Sequence, residues 1–146
     1  MTIYRADTLF DGNQVLGPGA VRVENDRIAE VLSGTAAAQV RADVDFGTAI
    51  LAPGFVDIHS HGGGGAAFTN GVESARTVIA THRHEGTTSI MASLVTDTLD
   101  HLESQIRDLT PLYEAGEILG VHLEGPWMAE EFKGAHDPLS LIHISE

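Results

Sequence analysis

The fold is decided by residues 51–65, which have the sequence LAPGFVDIHSHGGGG. The apolar run at 55–58 predicts a short strand that is covered on both faces. His59 and His61 follow at alternate positions, so an extended backbone points both imidazoles to the same side. Four glycines then leave the space in front of them without side chains. The pattern predicts a metal site at the mouth of a sheet, open to water and substrate, with a solvated strand end as the alternative.

Residues 1–50 contain short extended segments separated by turn signals. The segments at 20–23 and 27–32 flank a tight turn and predict a β-hairpin. Further short extended pieces occupy 42–46 and 49–51. We expect a small antiparallel, sandwich-like β lobe, whose exposed edges need additional strands to close it.

From residue 51 onward, strands alternate with amphipathic helices, and this alternation predicts parallel β/α units. We expect an α/β fold in which residues 51–146 form about the first three units of a (β/α)8 TIM-type barrel. Pro111 should bend or end the second helix. The predicted elements after the glycines are a helix at 72–84, a strand at 87–95, a helix at 99–115 and a strand at 117–124.

Glu124 ends the third strand of this barrel segment, just before Gly-Pro. Chemistry in β/α barrels lies at the carboxyl ends of the strands, so Glu124 should meet His59 and His61 at one mouth. A buried carboxylate without a partner is costly, and a structural ion pair is the alternative to a metal. Together the three side chains offer the nitrogen and oxygen ligands that zinc or iron accepts.

The other histidines are weaker candidates. His122 has the same parity as Glu124 on its strand and could support a ligand. His136 lies in the loop KGAH at 133–136, which could fold over the site and present an imidazole and backbone groups, or could be a plain surface loop. Three histidines on predicted helices are expected to be solvated: His82, His84 and His101.

Composition limits the class of protein and its partners. With 146 residues and 42% apolar residues, the chain can form an ordinary core. Its 21 Asp+Glu outnumber 8 Lys+Arg and give a net charge of -13, so nucleic acid is not an expected partner. The lack of cysteine leaves no disulfide and no thiolate ligand. No signal-peptide pattern and no apolar run of about 20 residues occurs, so we expect a soluble, cytoplasmic protein without a membrane partner.

Three motifs together resemble the amidohydrolase superfamily: PGFVDIHSH at 53–61, HLEGPW at 122–127 and KGAH at 133–136. The first occurs across the superfamily, whereas the other two are more specific to the N-acetylglucosamine-6-phosphate deacetylases. The resemblance covers nearly all of residues 1–138. It implies hydrolysis of the acetamide of N-acetylglucosamine 6-phosphate, a small amino-sugar phosphate, to glucosamine 6-phosphate and acetate. It also implies that the full-length parent is a homodimer.

The resemblance further implies roles for individual residues. His59 and His61 would ligate one metal ion, and Glu124 would ligate the principal or a bridged ion. Because both histidines are present, the site would have the capacity for two ions, zinc or iron. Ala135 matches a position that contacts the amino sugar through its backbone, and His136 lies beside it.

The chain departs from the family pattern at its carboxyl end. It stops after about three of the eight β/α units that a closed barrel needs. Two further histidine ligands, the catalytic aspartate and most phosphate contacts would lie beyond Glu146. We therefore expect an amino-terminal fragment that is inactive alone and contains no catalytic residue of its own. Residues 139–146 do not follow the pattern and are expected to be non-native, so His143 is not counted as a ligand.

Two other functions stay open at the level of sequence. One is another amidohydrolase that acts on cyclic or acyl amides, like a dihydroorotase or an aminoacylase. The other is a non-catalytic metal-binding module that needs no complete barrel.

Overall fold

A computed structural model of the chain describes residues 1–142. The chain divides into two compact units, of which the first is Met1–Pro53 and the second begins at Gly54. The elements of the first unit are β1 Thr2–Ala6, β2 Thr8–Phe10, β3 Val15–Leu16, β4 Gly19–Glu24, β5 Arg27–Ser33, α1 Gly34–Gln39, β6 Val44–Asp45 and β7 Ile50–Leu51.

The first unit contains two small sheets, with strand orders β5-β4-β1-β6 and β3-β2-β7. The predicted hairpin is confirmed, because β4 and β5 pair antiparallel. Asn25 and Asp26 both adopt positive φ in its turn, as a two-residue hairpin of this type requires. The core is small and consists of Ile3, Ala20 and Ala37 with three partly buried neighbours.

The prediction of a purely antiparallel lobe is wrong at two strands. β6 pairs parallel with β1, and β7 pairs parallel with β2. A parallel neighbour needs a crossover, and for β1 and β6 the connecting chain includes α1, which lies between β5 and β6 in the sequence. The sequence pattern gave no prediction for α1, although three consecutive alanines favour a helix there.

The second unit alternates strands and helices. The helix predicted at 72–84 and the strand predicted at 87–95 are confirmed at the same bounds. The elements are β8 Phe55–Ser60, β9 Gly62–Gly63, β10 Ala66–Ala67, α2 Val72–His84, β11 Thr87–Val95, α3 Leu99–Glu114 and β12 Val121–Glu124, with short 3-10 turns at Phe68–Asn70, Glu130–Phe132 and Pro138–Ser140.

The main sheet of this unit has the strand order β12-β11-β8, and both pairings are parallel. The fold is therefore mixed α/β, as the alternation predicts. Ile90, Ala92 and Leu94 project from one face of β11 into a core with buried residues of α2 and α3. The helices thus cover one face of the sheet. None of the helices within residues 1–142 is both long and apolar enough to cross a membrane.

Two predicted boundaries differ from the structure. Pro111 lies inside α3 and does not end it, since the helix continues to Glu114 and the N–H of Ala115 still donates to the carbonyl of Pro111. The third strand begins at Val121 rather than at residue 117. The preceding residues form a turn, which leaves only four residues for the strand.

The prediction that β8 is covered on both faces is wrong. Phe55, Val56 and Ile58 are 69%, 63% and 66% exposed. The reason is that β8 lies at the edge of its sheet and has only β11 as a neighbour among the described strands. At the opposite edge, β12, the apolar side chains are covered: Ile118 just before it is buried, and Val121 and Leu123 pack partly against the core.

We expect the 146-residue chain to self-associate through β8, because an unpaired edge with exposed apolar side chains favours strand addition. Replacing Val56 and Ile58 with threonine keeps the β propensity and adds a hydroxyl group. The monomer fraction in sedimentation velocity should rise. The control replaces Leu99 and Leu139 with threonine, because both are exposed but neither lies in a strand. An equal rise in the control would show that β8 is not the associating surface.

Candidate metal centre

The three predicted ligands lie at one edge of the parallel sheet. β11 pairs Ala92 with Ser60 of β8 and Val95 with Glu124 of β12. The ends of β8 and β12 therefore flank the end of β11. Ser60 contacts α2, so its neighbours His59 and His61 point to the sheet face opposite the helices.

The side chains converge on a single point. Nε2 of His59 lies 3.2 Å and Nε2 of His61 lies 2.8 Å from Oε2 of Glu124. The two Nε2 atoms are 3.0 Å apart, and the three ligand atoms all lie within 4.8 Å of one another. The predicted convergence of these residues at one end of the sheet is confirmed.

The spacing fits a divalent ion. Two ligand atoms about 2.1 Å from one ion, at angles of about 90–110°, are separated by about 3.0–3.4 Å. The observed 3.0 Å between the imidazole nitrogens of His59 and His61 falls in that range. Two nitrogens and one carboxylate oxygen are also a donor set that zinc and iron accept.

The second ring nitrogen of His61 fixes its tautomer. Nδ1 lies 3.0 Å from the backbone carbonyl of Ser93, a residue that is buried in β11. A carbonyl only accepts, so Nδ1 carries a proton, and Nε2 is the ring nitrogen that faces Glu124. Such a partner orients a ligating imidazole and raises its basicity.

His122 packs against His59. Their ring centroids are 5.0 Å apart at an interplanar angle of 64°, and Nδ1 of His122 lies 3.1 Å from the hydroxyl of Ser93. His122 is thus placed to hold the His59 ring, and its supporting role stays a prediction.

Glu124 is ionised at neutral pH. Burial raises the pKa of its carboxyl group, but hydrogen bonds from His59 and His61 outweigh the burial and hold the pKa below its ordinary value of 4.5. A carboxylate must be deprotonated to bind a metal, so the environment already favours the ligating form.

The loop at 133–136 reaches this group of ligands. Nδ1 of His136 lies 2.7 Å from the hydroxyl of Thr96, and that hydroxyl donates to the backbone carbonyl of Glu124 over 3.1 Å. The hydroxyl has one proton, so it accepts from Nδ1 of His136. Nε2 of His136 is then directed toward Glu124, with 3.6 Å to Oε1.

Thr96 was not anticipated from the sequence. Its position one residue past the end of β11 is the signal that could have identified it, because side chains at strand carboxyl ends build sites in β/α folds. Thr96, Ala135 and His136 line one cavity of about 190 Å³ together with Val95 and Asp137. The cavity is smaller than typical ligand pockets of about 300–1,000 Å³.

Three of the four glycines after His61 face the loop and α2 rather than the ligands, which corrects the prediction, whereas Gly65 has open space beside it. Gly62–Gly63 pair antiparallel with Ala66–Ala67. A Cβ built at Gly62 would lie 2.3 Å from the carbonyl of Ala66, and one at Gly64, where φ is +63°, would lie 2.3 Å from Oγ1 of Thr81. The glycines are needed because the loop packs closely on itself and on α2.

The prediction for His82 is also wrong. Nε2 of His82 lies 3.2 Å from Oγ of Ser60 and 3.1 Å from the carbonyl of Gly62, so the side chain is partly buried beneath the loop. The cause is that the loop folds back over the last turn of α2. His84 and His101 are exposed, as predicted. Residues 143–146 lie outside the described residues. They include His143, which is not expected to be a ligand.

Known proteins provide an independent comparison. No protein-family profile matches the chain. The N-acetylglucosamine-6-phosphate deacetylase of Bos taurus is 31% identical over 142 residues, which are 92% of this chain and 32% of that protein. This chain is a homologue of N-acetylglucosamine-6-phosphate deacetylases. The predicted resemblance is confirmed, and the chain spans about a third of the length of this relative.

Other deacetylases are similar to the same chain. The N-acetylgalactosamine-6-phosphate deacetylase of Shewanella sp. (strain ANA-3) is 30% identical and matches 94% of this chain and 38% of its own length. A solved structure of a variant N-acetyl-D-glucosamine-6-phosphate deacetylase from Mycobacterium smegmatis, in complex with N-acetyl-D-glucosamine-6-phosphate, is 37% identical with a TM-score of 0.87. That match covers 99% of this chain and 38% of the other. The chain therefore has the fold of the amino-terminal portion of a deacetylase.

Proposed function

We propose that this chain forms the amino-terminal part of a metal-dependent deacetylase. The reaction is hydrolysis of the acetamide of N-acetylglucosamine 6-phosphate to glucosamine 6-phosphate and acetate. The observation that carries the proposal is the convergence of His59, His61 and Glu124 within 4.8 Å at the carboxyl ends of parallel strands. The deacetylase names of the relatives support the choice of this reaction over that of another amidohydrolase or a non-catalytic module.

The second unit corresponds to the first three units of a TIM-type barrel. Three parallel strands with helices on one face support this assignment. The relatives are about three times as long as the matched region, which is enough chain for the remaining units. The first unit is then the incomplete β lobe that additional strands close.

His59, His61 and Glu124 would hold the metal ion, zinc or iron, and the presence of both histidines suits a site for one or two ions. When bound, the ion supplies Lewis acidity that polarises the carbonyl of the acetamide. The residues of the chain set the geometry: Ser93 keeps the proton of His61 on Nδ1, and Glu124 stays ionised.

Ala135 and His136 bind the substrate in this proposal. Ala135 contacts the amino sugar through its backbone, and His136 directs Nε2 toward the ligand group because Thr96 engages its Nδ1. Hydrolysis also needs a positioned proton acceptor. We assign that role to an aspartate in the portion of the deacetylases that this chain does not match. Two further histidine ligands would lie in the same portion.

The cytoplasmic location and the homodimeric state of the parent enzyme belong to the same proposal. A sugar phosphate carries a charge that prevents free passage through a bilayer, which supports a reaction inside the cell. The homodimer rests on the resemblance to the deacetylases.

A chimera tests the function. We join residues 1–138 of this chain to the remaining part of the Mycobacterium smegmatis deacetylase and measure acetate release. The expected result is release from N-acetylglucosamine 6-phosphate that a chelator abolishes and that zinc or iron restores. The unmodified 146-residue chain should show no turnover, because it matches only about a third of its relatives.

Three outcomes would change the proposal. Preference for N-acetylgalactosamine 6-phosphate would make that sugar the substrate, in line with the Shewanella relative. Opening of a dihydropyrimidine ring without deacetylation would favour a dihydroorotase-like enzyme. Deacetylation by the 146-residue chain itself would contradict the assignment of the proton acceptor to another part of the protein.

A further inference from the structure

The last turn of α2 contacts the residues on both sides of a proposed metal ligand. Nε2 of His82 lies 3.2 Å from the hydroxyl of Ser60 and 3.1 Å from the carbonyl of Gly62. Ser60 and Gly62 are the residues immediately before and after His61. Ser60 also follows His59 directly. A single imidazole thus reaches the segment that presents both nitrogen ligands.

The acceptors determine where the His82 proton lies. The carbonyl of Gly62 can only accept, so Nε2 of His82 must carry a proton. The same N–H is shared with the hydroxyl of Ser60, which accepts from it. His82 therefore acts toward the ligand segment as a hydrogen-bond donor.

Strand pairing does not hold this segment by itself. The pairing of β8 with β11 is irregular between Ile90 and Ala92, and its last pair joins Ala92 to Ser60. His61 lies beyond that pair on an edge strand. Apart from the approach of its Nε2 to His59 and Glu124, His61 has the bond from Nδ1 to the carbonyl of Ser93 and the bond that its carbonyl accepts from the N–H of Phe68. His82, in α2, adds contacts with Ser60 and Gly62 on either side of His61.

The glycine loop allows this approach. A Cβ built at Gly63 would lie 2.9 Å from Nε2 of His82, so a side chain there would displace the imidazole. The glycine at this position therefore has a specific role beside His82. It lets the loop lie within hydrogen-bond distance of α2.

We propose that His82 is a positioning residue of the metal centre. Its Nε2–H holds the residues on both sides of His61, through the hydroxyl of Ser60 and the carbonyl of Gly62, so that the Nε2 atoms of His59 and His61 keep their 3.0 Å separation and face Glu124. The inference rests on the proposed metal-dependent function. It adds a helix residue that does not touch the metal or the substrate.

The first test measures metal affinity in the 146-residue chain by titration with Co²⁺, followed by absorption, and by competition with Zn²⁺. His82→Phe keeps an aromatic ring but removes the donor, and His82→Gln restores an N–H donor. We expect His82→Phe to weaken Co²⁺ binding by about 10–100-fold, as loss of an outer hydrogen-bond partner does, and His82→Gln to recover most of the affinity. His84→Phe, on the exposed side of the same helix, is the matched control and should bind like the unmodified chain.

The second test measures hydrogen exchange of residues 55–68 without metal, at a temperature where circular dichroism shows each variant to be folded. His82→Phe should raise exchange in this segment by about fivefold, as expected for the loss of one hydrogen bond, and should leave α3 unchanged. Unchanged exchange in the segment would overturn the proposal, and so would unchanged Co²⁺ affinity. If the chimera with the Mycobacterium smegmatis deacetylase binds no Co²⁺ while exchange rises as expected, the metal-dependent function fails but His82 still holds the segment.

Discussion

Replacing Glu124 with glutamine should lower the affinity of the chain for Co²⁺ or Zn²⁺ by more than about 100-fold. Loss of an outer partner of a metal ligand already costs about 10–100-fold, and Glu124 is a proposed direct ligand. The exchange barely changes the volume but removes the negative charge that both imidazoles approach within 3.2 Å. In the chimera with the Mycobacterium smegmatis deacetylase, acetate release should fall to background. The measurements are metal titration of the chain and acetate release by the chimera.

Glu114→Gln is the matched control. Glu114 is exposed at the end of α3, so the same chemical change there removes a charge without touching the three ligand atoms. We expect metal affinity within about twofold of the unmodified chain, because a distant surface charge is screened by salt. Equal affinity in both variants would show that the carboxylate of Glu124 is not a ligand.

The arrangement of the three proposed ligands could be predicted from the sequence because it depends on local rules. Alternation along an extended strand places His59 and His61 on one side, and the parallel β/α order places Glu124 at the same edge. The bounds of α2 were predictable for a similar reason, since apolar residues repeat at helical spacing and Gly86 follows the helix. These features require no knowledge of which distant residues pack together.

The supporting residues depend on tertiary packing and escaped prediction. The place of His82 on a helix predicts a solvated side chain. Its partners are instead Ser60 and Gly62, about 20 residues earlier in the sequence. Thr96 forms hydrogen bonds with the carbonyl of Glu124, 28 residues later, and with the imidazole of His136, 40 residues later. Sequence spacing does not encode such contacts.

The errors in the strands have a related cause. An apolar run such as residues 55–58 indicates that a strand has partners, but it does not say which elements supply them. Among the described strands β8 has one neighbour, so these side chains are exposed. The two-residue strands β6 and β7 are too short for a pattern that distinguishes parallel from antiparallel pairing.

The stability of the sheet that presents the proposed ligands depends on the core beneath it, and Leu94→Ala tests that dependence. Leu94 is fully buried, and it lies in β11, the strand that joins β8 with its histidines to β12 with Glu124. Removing the side chain should lower the free energy of unfolding by about 2–5 kcal/mol, through lost burial and the cavity left behind. That is a large fraction of the total stability of about 5–15 kcal/mol. Urea denaturation in dilute solution measures the loss, and Leu139→Ala, at a site that is 92% exposed, should change the free energy by less than about 0.5 kcal/mol.

Added metal separates the stability of the core from the geometry of the site. Zinc at about 100 times its dissociation constant should raise the free energy of unfolding by about 2.7 kcal/mol in any chain whose folded state binds it. We expect the same increase in the unmodified chain and in Leu94→Ala, because the leucine packs on the helix side of the sheet and the ligands face the other side. A loss of the zinc effect in Leu94→Ala would mean that packing at β11 sets the distance between His61 and Glu124. A Leu94→Ala chain as stable as Leu139→Ala would contradict the assignment of β11 to the core.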